Sequence, residues 1–492
     1  MVNETLPFSS PAAQGVDAEG ILRLLDALDA DSGQDPHSLM IVRHGHVVAA
    51  GWWAPYERAR PHLLYSLSKS FTSTAAAFAF AEGLIDLDAP VVSYFPEFDA
   101  DITDPGSRAI LVRHAASMST GHTFDTLDQA VELDPAEPVR GFLLIPPERQ
   151  PGTVFAYNQP ATYSLAAIVQ RVTGQTLEEY LRPRLLEPLG LPPFGWQEFP
   201  PGRNVGFTGL HAVTDAIARL GQLYLQGGIW EGRQLIPVEW VEEASRAHIS
   251  TAPTAGVELT TPSEPDWILG YGYQFWMARH GYRGDGAFGQ YCLILPEYDA
   301  VVAYTGATVD MQRTLDLVWD NLLPALVDEP REDGTDAESR LRDRLGALGV
   351  AEISVPAGEA LRGDPVAPAD WDGAVLSPDG PSAQVVPAPS AIEISHAAGG
   401  WRIALIDDVG RIESELGTGE WAASDGDSVP VAVEGGWLES GALRFDVIFL
   451  ETPHRLAVTC SLPAGTFAAA WVTAPLVHGP MSLHELRSPS PR

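Results

Sequence analysis

Lysine is almost absent from this sequence. The 492 residues contain one lysine, Lys69, and arginine supplies the rest of the 30 residues that are lysine or arginine. Arginine stays protonated in proteins, whereas lysine can lose its proton when its surroundings lower its pKa. Arginine would serve equally well wherever only a fixed positive charge is needed. We therefore interpret Lys69 as an amine that titrates.

Basic side chains are scarce as a class. The 30 lysine and arginine residues stand against 65 aspartate and glutamate residues, which gives a formal net charge of −35. A surface of that sign repels phosphate groups, so we expect neither nucleic acid nor an anionic membrane as a partner. A transmembrane helix needs a run of about 18 apolar residues. No run in this sequence approaches that length, so we expect no membrane span.

The sequence also lacks the patterns of a disulfide framework, a metal centre and a secretory signal. Its two cysteines, Cys292 and Cys460, lie far apart, which leaves no thiolate cluster. The histidines show no ligand spacing, so we expect no metal and no other cofactor; those considered are His44, His62, His114, His122, His211 and His280. The first residues, MVNETLPFSSPAAQG, have neither a basic nor an apolar leader region, so a cytoplasmic location is expected.

Lys69 follows Ser66 by three residues, in the motif Ser66-Leu67-Ser68-Lys69. The stretch 66–82 is rich in small and apolar residues, which is typical of a buried helix. Positions i and i+3 share one face of a helix, so the two side chains are expected to meet. A buried lysine is costly unless it is paired or functional. We predict that Ser66 is a nucleophile and Lys69 is the amine that activates it.

The first two thirds of the chain combine strands at both ends with helices between them. This order predicts an α+β fold, in which an antiparallel sheet is assembled from both ends, flanked by helices and carrying a helical subdomain. The nucleophile helix is expected to pack on the sheet. Strands are predicted within 38–53, 270–278, 287–295 and 299–306, and helices within 16–30, 66–82, 160–173, 212–227, 237–247 and 310–326.

The last third has a different pattern. Residues 328–392 are rich in charge, Pro, Gly and Ala, and are predicted to be a linker with a short helix near 338–348. Short alternating strands follow, the last of them at 481–487, and predict an all-β barrel or sandwich over 393–492. The predicted division is therefore a domain over 1–327, the linker and a C-terminal β-domain.

Two further segments are candidates for chemistry. Tyr157 lies on a loop just before a predicted helix, which can present it to a cleft; the alternative is a half-buried core tyrosine. Gly284-Asp285-Gly286 leads into a strand, where glycines let the backbone approach a ligand; the alternative is a simple hairpin turn.

Taken in order, the S-x-x-K motif, Tyr157 and the Gly284–Gly286 segment resemble the β-lactamase-like serine hydrolases. This superfamily includes class C β-lactamases, family VIII carboxylesterases, D-aminopeptidases and penicillin-binding-protein-like enzymes. The resemblance covers roughly residues 8–326 and includes stretches such as PGTVFAYN and LLEPLGL. The segment after about 393 resembles, more weakly, β-rich domains fused to some of these hydrolases.

The resemblance implies roles for individual residues. Ser66 would form an acyl-enzyme, Lys69 would accept its proton, and Tyr157 would relay a proton to the leaving group. The oxyanion would lie between the backbone N–H groups of Ser66 and Ala287. The implied substrate-binding residues are Asn158, Gln159, Asp285 and Gly286.

This sequence departs from the family pattern at two places. The family's asparagine two residues after the tyrosine is here Gln159, with Asn158 one residue earlier, and either could take its role. The third motif has neither lysine nor histidine, which disfavours a β-lactamase or a cell-wall peptidase because that cation helps hold the substrate carboxylate. Arg279, His280 or Arg283 could supply the charge, or Asp285 could favour a neutral or amine-bearing substrate.

We therefore expect a cofactor-independent serine hydrolase, carboxylesterase-like, that acts on a small-molecule or peptide acyl substrate. The alternatives are a D-aminopeptidase or other amidase, an acyl-transferring peptide cyclase, a β-lactamase and, from another class, a catalytically silent binding protein. The oligomeric state stays open.

Overall fold

The computed structural model describes residues 6–258, 261–327, 335–366, 368–380, 386–397, 400–424, 429–476 and 481–490. Its strands are β1 Pro36–Arg43, β2 His46–Trp52, β3 His62–Leu63, β4 Gly195–Trp196, β5 Leu210–Ala212, β6 Ile229–Trp230, β7 Arg233–Gln234, β8 Trp276–Met277, β9 Tyr282–Gly286, β10 Gln290–Leu295, β11 Ala300–Gly306, β12 Ala374–Pro378, β13 Ala391–Ala397, β14 Gly400–Ile406, β15 Arg411–Glu415, β16 Ala422–Ser424, β17 Val431–Trp437, β18 Leu443–Phe449, β19 Arg455–Ser461 and β20 Thr466–Thr473.

Helices lie mostly between β2 and β8. They are α1 Ala18–Ala30, α2 Ser68–Ala81, α3 Pro105–Arg108, α4 Val112–Ala116, α5 Leu127–Leu133, α6 Pro138–Leu143, α7 Gln159–Thr173, α8 Leu177–Leu181, α9 Glu187–Leu189, α10 Thr214–Leu225, α11 Val238–Ala244, α12 Met311–Asn321, α13 Thr335–Leu345 and α14 Pro368–Trp371. Asp17 accepts a hydrogen bond from the Glu19 N–H and caps α1. Gly174, with a positive φ of 69°, ends α7.

A six-stranded antiparallel sheet joins the two ends of the first 306 residues. Its order is β2-β1-β11-β10-β9-β8, so β1 pairs directly with β11. Helices α2, α7 and α10 contribute to the core on one face, and α1 and α12 to the core on the other. The predicted α+β fold, with an antiparallel sheet assembled from both ends, is confirmed.

Helix α2 is buried from Ser68 to Ala79. Its alanines let neighbouring elements approach closely, and its hydroxyl groups donate to backbone carbonyls of the surrounding chain. Ser70 bonds Gln274 O at 3.0 Å, and Ser73 bonds Tyr273 O at 2.8 Å. These bonds satisfy the polar groups that burial would otherwise leave unpaired. They also fix the helix that carries Lys69 against the β8–β9 region.

The C-terminal part forms a nine-stranded sheet in the order β15-β14-β13-β12-β20-β19-β18-β17-β16. Its pairs are antiparallel except for β12 with β20. A backbone hydrogen bond of 3.2 Å from Gly417 N to Val433 O draws the β15 end toward β17, so the sheet curls into a nearly closed barrel. The predicted barrel-like fold is confirmed. The sheet begins at Ala374, inside the segment predicted as a linker.

Two predicted strands are wrong in detail. Within 270–278 only Trp276–Met277 is a strand, because Gly270 and Gln274 have positive φ angles of 114° and 64° that interrupt an extended chain. Segment 481–487 contains a 3₁₀ turn, since Leu483 and Leu486 are both buried and three residues apart. The start of the predicted linker, 328–334, lies outside the described residues. In the described part of the chain, no helix is both long and apolar enough to cross a membrane.

Candidate active site

Ser66 and Lys69 meet where the 3₁₀ turn Tyr65–Leu67 runs into α2. The Lys69 Nζ donates a hydrogen bond of 2.9 Å to Ser66 Oγ and one of 2.7 Å to the carbonyl of Phe207. Lys69 is 1% exposed, whereas Ser66 is partly exposed and lines a cavity. The amine is thus shielded from water while the hydroxyl is open to a ligand.

Burial lowers the pKa of Lys69 to about 7, although the negative charges of Asp125 and Asp285 act in the opposite direction. A buried ammonium loses its hydration, which favours the neutral amine. Near neutral pH a large fraction of Lys69 is therefore unprotonated. In that form its nitrogen can accept the proton of Ser66.

Tyr157 lies beside the same pair, just before α7. Its hydroxyl is hydrogen-bonded to the Ser66 side chain, and the Lys69 Nζ lies 4.7 Å from the centre of its ring. Burial, followed by the charge of Asp285, raises the pKa of Tyr157. The phenol therefore keeps its proton at neutral pH and lies beside Ser66 as a potential hydrogen-bond donor.

Two glycines bring β9 against the nucleophile turn. A Cβ on Gly286 would lie 2.1 Å from the Leu64 carbonyl oxygen, and one on Gly284 would lie 2.4 Å from Ser70 Oγ. A larger residue at Gly286 would have to move the backbone, and one at Gly284 would have to displace the Ser70 and Leu67 side chains. The close approach brings the end of β9, directly before Ala287, against the turn that carries Ser66.

Asp285 and the three nearby candidate cations are engaged within the protein. The Arg283 Nε donates to Asp285 at 2.9 Å, and both side chains are buried. Arg279 pairs with Asp266 at 2.7 Å. His280 packs edge-on against Trp319, with 5.1 Å between ring centres. Among the described residues that line the cavity, none of these four occurs.

The two amides after Tyr157 point in different directions. Asn158 is fully buried, and its Oδ1 accepts hydrogen bonds from the Thr126 N–H at 2.9 Å and the Thr126 hydroxyl at 3.0 Å. Gln159 is partly exposed and lines the cavity. Asn158 thus anchors a neighbouring loop, and Gln159 is the one of the two amides that reaches the cavity.

His62, four residues before Ser66, belongs to a buried pair. Its Nε2 lies 3.0 Å from His37 Nδ1, and its Nδ1 lies 3.0 Å from the Leu63 carbonyl oxygen. Burial lowers the pKa of His62 to about 4, so the ring is neutral at physiological pH. His62 is a core residue at this place rather than a ligand of the cavity.

The cavity over Ser66 has a volume of about 1010 Å³ and is built from both parts of the chain. Helices α5 to α8 and the segment 196–208 form one side, and the C-terminal segments 475–476 and 481–490 form another. The apolar lining includes Leu127, Val131, Trp196, Phe199, Phe207, Leu476, Met481 and Leu486. Its size is at the upper end for small-molecule sites, typically about 300–1,000 Å³.

The charged residues of the lining are mainly acidic. Among the described residues, five carboxylates and one guanidinium face this space, namely Asp128, Glu132, Glu178, Glu198, Glu485 and Arg487. The lining is therefore largely apolar, with a formal excess of acidic residues. The sequence left the role of the C-terminal segment open, because nothing in the local pattern of 475–490 indicates which surface it covers.

The fold is that of the β-lactamase-fold serine hydrolases. A sequence model of the Beta-lactamase family matches residues 23–324, and the chain belongs to that family.

Among curated proteins, the chain is 26% identical over 326 residues to the 6-aminohexanoate-dimer hydrolase of Paenarthrobacter ureafaciens, covering 57% of this chain and 79% of that protein. It is 26% identical over 220 residues to the esterase EstB of Burkholderia gladioli, covering 39% of this chain and little more than half, 56%, of EstB. Among solved structures, an octameric penicillin-binding protein homologue from Pyrococcus abyssi is 16% identical, with a TM-score of 0.45. The match covers 89% of this chain and 96% of that chain.

Proposed function

We propose that this chain hydrolyses carboxylic esters through an acyl-enzyme on Ser66. The observation that carries the proposal is the buried Lys69 amine, with a pKa lowered to about 7, at 2.9 Å from the Ser66 hydroxyl. A neutral amine at that distance is a general base for a serine nucleophile. Lys69 would take the hydroxyl proton as Ser66 Oγ attacks the ester carbonyl.

In the proposed reaction Tyr157 handles the leaving group. Its protonated phenol is bonded to Ser66, so it can pass a proton to the departing alkoxide and recover one through Lys69. The oxyanion would be bound by the backbone N–H groups of Ser66 and Ala287. The close packing of Gly286 on Leu64 supports this pairing. Water then attacks the acyl carbonyl, and Ser66 leaves with the proton restored.

The cavity supports a bulky, apolar acyl group that is neutral or carries an amine. Its walls are largely apolar, and its charged edge is mainly acidic. A substrate carboxylate would meet repulsion there, and Arg283 is already bonded to Asp285. This arrangement disfavours penicillin-type substrates, which need a cation for their carboxylate.

Amide hydrolysis is the second candidate. One relative, matched over 326 residues, is a hydrolase of the 6-aminohexanoate dimer. An amine leaving group must be protonated before it departs, and Tyr157 is a proton donor at the right place. Transfer of the acyl group to an amine acceptor would use the same acyl-enzyme. Aminolysis product formed from an ester and an added amine would separate transfer from hydrolysis.

Intact-mass detection of the acyl-enzyme tests the proposal. The protein is exposed in parallel to p-nitrophenyl esters, a D-amino amide and a penicillin. We expect a mass increase with the esters that is absent in Ser66→Ala. Lys69→Arg should form it at least ~10³-fold more slowly, since arginine cannot accept the proton. A fully active Lys69→Arg would contradict the role of the amine, and a wild-type protein that no acyl donor labels would favour the binding-protein alternative.

A further inference from the structure

Two bulky residues next to the proposed oxyanion donors have left-handed backbone conformations. Tyr65, directly before Ser66, has a φ of 47°, and Phe288, directly after Ala287, has a φ of 65°. Side chains with a Cβ disfavour this region, so such conformations persist only where surrounding contacts hold them. The backbone on both sides of the proposed oxyanion site therefore depends on whatever fixes these two rings.

The rings of Tyr65 and Phe288 both pack against His454, which comes from the C-terminal sheet. The three rings form a closed triangle of edge-to-face contacts. The distances between ring centres are 5.5 Å for Tyr65 and Phe288, 5.8 Å for Tyr65 and His454, and 5.7 Å for Phe288 and His454. We call these three residues the aromatic triad. One histidine thus touches both left-handed residues.

Hydrogen bonds fix the orientation of the His454 ring. Its Nδ1 lies 3.1 Å from the Thr473 carbonyl oxygen, which can only accept, so Nδ1 carries the proton. The other nitrogen, Nε2, is then an acceptor, and the Tyr65 hydroxyl donates to it at 2.7 Å. Burial lowers the pKa of His454 to about 3, so this neutral tautomer is kept at neutral pH.

The loop that carries His454 is itself tied to the nucleophile segment. It connects β18 to β19, where the Phe449 N–H donates to the His454 carbonyl at 3.0 Å. In the same loop, the Glu451 carbonyl accepts a hydrogen bond of 2.8 Å from the Leu63 N–H, three residues before Ser66. The Leu63–Glu451 backbone bond fixes the distance between the nucleophile segment and the β18–β19 loop. The Tyr65–His454 bond fixes the position of the His454 ring against Tyr65.

We propose that His454 is a positioning residue, which holds Tyr65 and Phe288 so that the N–H groups of Ser66 and Ala287 point at the substrate carbonyl oxygen. The inference rests on the proposed acyl-enzyme function. The C-terminal sheet thereby completes the active site, although neither His454 nor any other residue of that sheet touches the reacting atoms in this proposal. What the C-terminal sheet contributes is the orientation of the Ser66 and Ala287 N–H groups.

Three variants and one control test the aromatic triad. His454→Leu removes the acceptor and keeps similar bulk, His454→Gln restores an acceptor, and Tyr65→Phe removes the donor. The control is Tyr291→Phe, because Tyr291 is also buried and its hydroxyl donates at 2.7 Å, but to Met311 O on the other side of the sheet. The readouts are kcat, KM and Tm with a p-nitrophenyl ester, and the rate of acyl-enzyme formation by mass.

We expect His454→Leu and Tyr65→Phe each to lower kcat about 10- to 100-fold, less than the loss of a whole oxyanion donor. KM should change less than about threefold, because ground-state binding does not use the oxyanion donors. His454→Gln should recover most of kcat, and Tyr291→Phe should keep it. The double variant His454→Leu/Tyr65→Phe should be no slower than the slower single variant, since both changes remove the Tyr65–His454 bond. Tyr65→Phe also removes the acceptor of a longer bond, 3.4 Å, from the Leu476 N–H.

The proposal would be overturned if His454→Leu kept the wild-type kcat or changed only KM. It would also be overturned if the two losses in kcat multiplied in the double variant. If His454→Leu does not fold, Tyr65→Phe decides by the same criteria. Failure of the proposed function looks different, because the wild-type protein would then form no acyl-enzyme at all. Normal acylation in both wild type and His454→Leu would leave the function standing and remove the positioning role.

Discussion

Helix α2 and the interior of the C-terminal sheet bury opposite kinds of side chain. The buried length of α2 contains one lysine and several serines and threonines, whose hydroxyls donate to carbonyls of neighbouring segments. The core of the C-terminal sheet is apolar and built around residues such as Trp401, Trp437 and Phe445. Buried polar groups cost stability unless they are bonded. In α2, polar side chains are buried next to Ser66 and are bonded there. The C-terminal sheet, in contrast, is held together mainly by apolar packing.

The C-terminal part also buries polar residues, but several of them lie toward the other part of the chain. His454 and Thr452 line the cavity, and His454 accepts the Tyr65 hydroxyl. Buried polar groups therefore reach the neighbourhood of Ser66 from both parts of the chain.

The largest loss of activity is expected when a glycine of β9 is replaced by alanine, and the same replacement in β17 of the C-terminal sheet is its control. In Gly286→Ala the new Cβ would lie 2.1 Å from Leu64 O, so β9 must move away from the nucleophile turn. We expect kcat per folded enzyme to fall about 100-fold or more, as for a lost oxyanion donor. The measurement is kcat corrected for the folded fraction, together with Tm.

The matched variant is Gly435→Ala in β17, where the new Cβ would lie 2.4 Å from Arg444 O. It should lower Tm, while the molecules that stay folded keep the wild-type kcat. If Gly286→Ala kept its activity, or Gly435→Ala lost activity without losing stability, the division between a reactive side and a supporting side would be wrong.

A smaller effect on kcat/KM is expected from pH. The two buried groups, Lys69 and His454, have different pKa values, so only one of them should titrate near neutral pH. Only neutral Lys69 can accept a proton, and its pKa is lowered to about 7. The value of kcat/KM should therefore be level above pH 7 and fall about tenfold per pH unit below it. His454, with its pKa lowered to about 3, should add no inflection in this range. A flat profile between pH 5.5 and 8.5, measured with a neutral ester, would count against Lys69 as the base.

The smallest effect concerns the wall that the C-terminal segment forms. A Cβ on Gly195 would lie 2.3 Å from Pro489 O, so Gly195→Ala should push that segment outward. We expect KM for a long-chain p-nitrophenyl ester to change about two- to fivefold, the size of a small change in pocket fit, with the acetate ester unaffected. Gly349→Ala is the control, because its nearest neighbour is Ala54 O at 3.8 Å. Equal changes for both esters would show that the wall does not select the acyl chain.

The sequence predicted the parts of the site that depend on local spacing. Ser66 and Lys69 are one helical turn apart, so their meeting follows from helix geometry. The predicted fold class was confirmed because strand and helix patterns are also local. His454 could not be found this way, since its partner Tyr65 is 389 residues away and only tertiary packing joins them.

The errors have physical causes of the same kind. The strand predicted over 270–278 looked continuous by composition, but positive φ angles at Gly270 and Gln274 break it. The choice between Asn158 and Gln159 was not an error but stayed open, because the sequence does not reveal the hydrogen bond from the Thr126 N–H to Asn158. Long-range contacts and unusual backbone angles are therefore where the structure adds most.

Lys69, the one lysine of the chain, is almost fully enclosed. No other side chain of this protein carries a primary amine. An activated ester added in excess therefore finds no second lysine to modify, so any acylated side-chain amine would have to be Lys69 itself. Acylation that peptide mapping locates at Lys69, as distinct from the α-amino group of the chain, thus becomes a reporter of access to the cavity. Loss of that product after a ligand is added would measure occupancy of the cavity.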